Sequence, residues 1–237
     1  MYTFPSRVRF SEAGADGLLT MAGVVNYFQD CSTFQSEDAG VGLDYLRAKG
    51  MVWVINSWQI EVLRYPALGE HITAGTAPYE LKGFLGMRNF VLLDEQGEYL
   101  VKASSIWSLI GTETFHPASI PQEVLDAYTL EPRLEMEYLP RKIRVPEEGT
   151  SFPAMTVQQC HLDHNHHVNN GQYITLALGY LPEGFHPTAL RTEYRQQAFL
   201  NDRMTPVLSE IPEGYILTWN ADDGKAYCVV EFRGEKG

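Results

Sequence analysis

Cysteine is scarce in this chain: 237 residues contain only Cys31, Cys160 and Cys228. An odd, sparse set builds no disulfide framework, and the three read as reduced thiols of a cytoplasmic protein. Basic residues are also few, 18 Lys and Arg against 30 Asp and Glu, for a net charge of -12. That balance argues against nucleic acid or an anionic membrane as the main partner. No apolar run reaches the ~20 residues that span a bilayer, so no membrane insertion is expected. The N-terminus, Met1-Tyr2-Thr3-Phe4-Pro5, lacks the basic region and apolar core of a secretory signal.

What is present concentrates in Asp163-His164-Asn165-His166-His167-Val168-Asn169-Asn170. Asp163, Asn165 and His167 recur at every second position, which in an extended stretch sets a carboxylate, a carboxamide and an imidazole on one face. His164 and His166 then point away, as surface or structural residues, while His161 shares the parity of the trio. An apolar run from Val168 to Tyr180 follows and predicts a largely buried helix near 168–180. The trio thus precedes a helix N-terminus, where free N–H groups and the dipole favour negative charge. A base, an amide donor and an anion-friendly helix end are the parts that acyl-group hydrolysis needs. Simple helix capping by Asp and Asn is the plainer alternative. A metal site is disfavoured, because the His spacings match no common zinc pattern and no Cys pair supports one.

Two halves echo each other. Glu61-Val62-Leu63-Arg64-Tyr65-Pro66-Ala67-Leu68 and Glu193-Tyr194-Arg195-Gln196-Gln197-Ala198-Phe199-Leu200 both open with Glu and carry Leu before a polar turn. Asp16 and Thr20 precede the first predicted helix with the spacing that Asp163 and His167 show before the second. Each half orders a helix before four strands: near 52–62, 72–79, 86–93 and 99–110, then near 188–199, 204–210, 214–221 and 225–233. The expected division is an N-terminal domain over 1–125, a linker rich in Glu, Arg and Pro over 126–150, and a C-terminal domain over 151–237. A helix followed by an antiparallel sheet, twice, is an α+β pattern in which each sheet wraps a central helix. Lys82-Gly83-Phe84-Leu85-Gly86 reads as a hairpin tip rather than a phosphate loop. Arg141-Lys142-Ile143-Arg144 and Arg47-Ala48-Lys49 are the local basic runs that an acidic protein partner would need.

The segment Asp163-x-Asn165-x-His167-Val168-Asn169-Asn170 resembles the signature of acyl-acyl carrier protein thioesterases, the plant plastid enzymes and their bacterial relatives. Trp53-Val54, Arg64-Tyr65-Pro66 with Gly69, Ala103-Ser104-Ser105-x-Trp107 and Ile120-Pro121-x-Glu123-Val124 match in the same order, over roughly residues 1–233. The resemblance implies a tandem (double) hotdog fold, with two long central helices each wrapped by an antiparallel sheet. It implies that the second half carries the catalytic residues and that the first shapes an acyl pocket. Among the apolar residues available for that pocket are Trp53, Phe28 and Val25, with Trp53 in a matching stretch facing the first helix. The implied reaction is hydrolysis of a fatty acyl thioester, and the implied partner is acyl carrier protein bearing an acyl-phosphopantetheine. No cofactor or metal is expected, and the chain is a monomer or a homodimer.

One stretch departs from the family. Where its plant members have Tyr-Arg-Arg-Glu-Cys, this chain has Tyr194-Arg195-Gln196-Gln197-Ala198. A Cys nucleophile there is excluded, and Gln197 can hold a water but cannot accept a proton. The burden moves to His167 as general base. Asn165 is expected to donate to the carbonyl or place the water, Val168 and Asn169 N–H groups to complete the oxyanion site, and Asp163 to orient His167 or attack the thioester itself. An acyl-CoA thioesterase of the same fold, or a non-catalytic acyl-binding module, are the alternatives.

Overall fold

The computed structural model describes residues 1–163 and 165–236. Two compact units divide the chain, Met1–Leu139 and Pro140–Gly237.

The first unit contains β1 (Tyr2–Arg7), α1 (Met21–Asp38), α2 (Leu43–Ala48), β2 (Met51–Val62), β3 (His71–Lys82), β4 (Leu85–Leu93), β5 (Tyr99–Gly111) and α3 (Gln122–Ala127). Its strands run antiparallel in the order β1-β3-β4-β5-β2. α1 begins where the Thr20 hydroxyl accepts the Gly23 N–H at 3.1 Å, an N-cap that satisfies one of the helix's orphan donors. It ends before Gly40, whose φ of 71° suits the residue that stops a helix. Val24, Val25, Phe28 and Cys31 of α1 are completely buried. Phe28 meets Phe90 of β4 and Trp58 of β2 with ring centroids 5.2 and 6.0 Å apart. Burying each such ring stabilises the unit by about 1.5–3 kcal/mol, so Phe28 anchors the helix to the sheet.

The second unit contains β6 (Thr150–Ser151), β7 (Met155–Thr156), α4 (Asn170–Leu178), β8 (Phe185–Tyr194), β9 (Arg203–Ile211), β10 (Gly214–Asn220) and β11 (Ala226–Lys236). The antiparallel order is β8-β11-β10-β9-β6, with β7 also on β9. The Trp219 indole N–H of β10 donates to the Tyr173 carbonyl of α4 at 3.0 Å, locking helix to sheet. Two expectations are corrected here. The second helix is not long: Asn169 caps it, and it spans nine residues rather than 168–180. β8 ends at Tyr194 rather than 199, because the Arg195 and Gln196 N–H groups both turn to the Tyr227 carbonyl.

The stretch expected as a linker is divided between the units and covers a sheet face in each. Phe90 faces α1, so its neighbour Asn89 faces the other way. There the Asn89 carboxamide oxygen accepts the Leu134 N–H at 3.1 Å and the Tyr138 hydroxyl at 3.0 Å. Gln59 accepts the Leu139 N–H at 2.9 Å. In the second unit Glu193 accepts the Ile143 N–H at 3.1 Å, and the Ser209 hydroxyl donates to the Glu148 carbonyl at 2.8 Å. Ile143 is buried there with Ile216, Ala226 and Val229.

Candidate active site

The chain reverses between Leu162 and Val168, which face each other as an antiparallel bridge. The Asp163 N–H donates to the His167 carbonyl at 3.0 Å, and the His166 N–H donates to the Asp163 carbonyl at 3.1 Å. The segment is therefore not extended, and the alternating-face arrangement is corrected. Side-chain turn chemistry is the reason: Asp163 Oδ1 accepts the Asn165 N–H at 2.8 Å, an Asx turn that an Asp two residues upstream makes readily. His166 takes a left-handed φ of 64° to complete the reversal.

Reversal, not alternation, brings the acid to the imidazole. Asp163 Oδ2 lies 3.8 Å from His167 Nδ1, with the two side chains 14% and 19% exposed. This is close enough for electrostatic orientation but too long for a hydrogen bond. His167 is itself bridged to Phe199, and the Val168 N–H donates to the Ala198 carbonyl at 2.9 Å. The Tyr194–Ala198 stretch thus lies beside His167. The Gln197 side chain is exposed, and among the described residues no hydrogen bond ties it to Asp163 or His167. Asn165 is likewise exposed, with only its backbone N–H held by Asp163. His164 lies outside the described residues.

The expected oxyanion donors are occupied. The Val168 N–H is bound as described, and the Asn169 N–H donates to the His161 carbonyl at 3.0 Å. Asn169 serves instead as N-cap, its carboxamide oxygen accepting the Gly171 N–H at 2.8 Å while its carbonyl takes the Gln172 N–H. Asn170 opens the first turn of α4, where helix geometry gives an N–H no intrahelical acceptor. Sequence reasoning passed over it, although the Asn-Asn-Gly run is a cap signal. His161 Nδ1 accepts the Gln158 N–H at 3.1 Å, which leaves the ring proton on Nε2.

Two of the three cysteines are closed off as nucleophiles, while Cys160 is exposed. Burial pushes the Cys31 thiol up to about 12 and the Cys228 thiol well above its ordinary value. Burial likewise raises the Tyr173 and Tyr194 hydroxyls, which hold backbone groups of Ala198 and Asn170. Among the described residues no three His, Cys, Asp or Glu side chains group to hold a metal. In the first unit, Val25 and Phe28 are sealed in the helix–sheet core. Trp53 packs with the cluster of Val41, Leu46, Leu109, Ile120 and Val124, at the end of β2 beside α2 and α3. Two short helices, invisible to the strand pattern, cover that end of β2.

The first unit contains the same loop in another sequence. Ala13 bridges Leu19, and Leu18 bridges Ala67. The Gly14 N–H donates to the Leu18 carbonyl at 2.8 Å, the Leu19 N–H to Pro66 at 2.9 Å and the Thr20 N–H to Glu12 at 2.9 Å. Gly14, Asp16 and Leu18 therefore occupy the places of Asp163, Asn165 and His167. The spacing that paired Asp16 and Thr20 with Asp163 and His167 is out by two residues.

Two copies of one helix-and-sheet unit, one copy carrying an acid–imidazole loop, define a tandem hotdog protein. The crystal structure of an acyl-ACP thioesterase from Bacteroides thetaiotaomicron superposes with a TM-score of 0.90 at 21% identity, covering 98% of this chain and 97% of that one. The 12:0-ACP thioesterase from Umbellularia californica gives 0.84 at 20% identity, covering 99% and 98%. In sequence, a chloroplastic acyl-[acyl-carrier-protein] hydrolase of Cuphea viscosissima is 29% identical over 207 residues, 80% of this chain and 50% of that protein. The chain spans about half the length of the curated relatives it matches first. Residues 2–128 match the acyl-ACP thioesterase N-terminal domain. The chain belongs to the acyl-ACP thioesterase family.

Proposed function

We propose that the chain hydrolyses the thioester of a fatty acyl-acyl carrier protein, with His167 as general base. The observation that carries this reading is the 3.8 Å approach of Asp163 to His167 on a loop whose first-unit counterpart has Gly14 and Leu18. With Nδ1 turned to Asp163, His167 Nε2 is left to take a proton from water. The hydroxide adds to the thioester carbonyl, and the oxyanion is held by the Asn170 N–H and the N-terminal dipole of α4. Asn165 and Gln197, both exposed beside the loop, supply carboxamides that place the water. Collapse breaks the C–S bond, and the imidazolium returns its proton to the thiolate, whose pKa near ~8.5 makes it a good leaving group. Asp163 acts as orienter rather than nucleophile, because Oδ1 is engaged by the Asn165 N–H and Oδ2 faces the imidazole.

Thiol release from acyl-carrier-protein and coenzyme A thioesters of graded length tests the reading. Wild-type turnover with carrier-protein donors, lost in His167→Ala, is the expected result. Preference for coenzyme A donors would move the assignment to an acyl-CoA thioesterase. Tight acyl binding without hydrolysis would identify a binding module.

A further inference from the structure

Most surface cations of this protein face its own carboxylates. Arg47 pairs with Asp44 and Lys49 with Glu123, so one of the two basic runs is neutralised. Arg64, Arg133 and Arg233 pair with Glu70, Glu80 and Glu213. Arg141, Lys142 and Arg144 differ: all three are exposed, and among the described residues none forms an ion pair. They project from a segment whose centre is fixed. Ile143 is 1% exposed, its N–H bound to Glu193 and its carbonyl reached by Arg195 at 3.5 Å. A preorganised cationic triad on a chain of net charge -12 is an attractive patch on an otherwise repulsive surface for an acidic partner.

A groove of about 570 Å³ begins where the triad ends, at Val145, and is lined by Glu147, Glu148, Arg195, Gln196, Thr218 and Asn220. Its amides, hydroxyls and apolar carbon suit a flexible arm of amide units, with Arg195 and Lys225 as the cations beside Glu147 and Glu148. Gln196 leads through Gln197 to Ala198, whose carbonyl holds the Val168 N–H beside His167.

We propose that Arg141, Lys142 and Arg144 dock an acidic carrier protein, whose phosphodiester-linked arm runs along the groove at Val145 and Gln196. This rests on the hydrolase reading above, because the carrier is the donor that reading names.

The test compares wild type with the triple variant Arg141→Glu, Lys142→Glu, Arg144→Glu. Three measurements apply: binding of holo-carrier protein by titration, kcat/KM on acyl-carrier protein, and kcat/KM on the same acyl chain carried by free pantetheine. Binding and carrier-dependent kcat/KM should each fall about tenfold or more, while acyl-pantetheine turnover stays at the wild-type level. Raising salt from roughly 50 to 500 mM should weaken the wild type on the carrier substrate and leave the variant nearly flat. Unchanged carrier binding in the triple variant would overturn the docking surface even if hydrolysis is normal. An equal loss on acyl-pantetheine would also overturn it, since the triad would then act on the site itself. A wild type that hydrolyses no donor defeats the hydrolase reading, and the binding titration still decides the docking surface.

Discussion

The loops that precede α1 and α4 share their closing bridges and hydrogen bonds, yet one presents Gly14 and Leu18 where the other presents Asp163 and His167. Each loop also needs a carboxylate to hold an inward-turned N–H. In the first, Asp16 holds the Leu18 N–H at 3.0 Å, and in the second, Asp163 holds the Asn165 N–H at 2.8 Å. Moving the acid two places upstream keeps the turn and sets its second oxygen against the residue four positions on. One side chain then closes the turn and faces the imidazole. The backbone supplies the geometry in both copies, and two residue choices decide which copy sets an acid beside an imidazole.

Exchanging residues between the loops breaks the comparison at its strongest point. His167→Leu installs the first-loop residue and should lower kcat by on the order of 10²-fold or more in thiol-release assays, with little change in Tm. In that background, Gly14→Asp with Leu18→His should restore nothing, because no second acid–imidazole site forms beside a docked acyl arm. Asp163→Gly should cost about tenfold or more in kcat/KM and roughly 1 kcal/mol in stability by denaturant titration, as both oxygens lose their partners. Gln197→Glu returns the acid typical of plant members of the family. It should add an acidic limb to the pH–rate profile, and an unchanged profile would show that the position does not face the reacting water.

Smaller effects test the parts that surround the loop. Burial raises the Glu193 carboxyl, but hydrogen bonds from Arg195 and the Ile143 N–H, with the charges of Arg195 and Arg141, outweigh it and hold the group below its usual range. A carboxylate lowered in the folded state contributes stability above its unfolded pKa, and that contribution is lost as pH falls through the folded value. The Tm advantage of wild type over Glu193→Gln should therefore be full near neutrality and shrink below about pH 4. Least of all, His166→Gly should raise stability by less than about 1 kcal/mol, since His166 holds a φ of 64° where the first loop has Gly17 at 75°.

Much of this organisation is legible in the residues. Alternating apolar runs and the Asp94–Gly97 and Asp222–Lys225 turns place β2–β5 and β8–β11 to within a few residues, apart from the far end of β8. Pairing Glu61 with Glu193 agrees with the bridges that set Ala67 and Phe199 in equivalent places. β1, α2 and α3 escape notice, being short and held by tertiary packing rather than by their own periodicity. The loop geometry at His167 escapes for another reason. Period-two spacing is a property of extended chain, and the Asx turn of Asp163 competes with extension through a bond that no hydropathy pattern reveals. The occupied N–H groups of Val168 and Asn169 depend on Ala198 and His161, the first of them distant in sequence.

Each unit has a polar outer sheet face, with Asn89 in one and Glu193 and Ser209 in the other. Residues 134–139 roof the first unit and residues 143–148 the second. Dissecting the gene after Leu139 leaves each half its own roof, whereas cutting at 126 or at 150 strips one half and invites aggregation at bare polar strands.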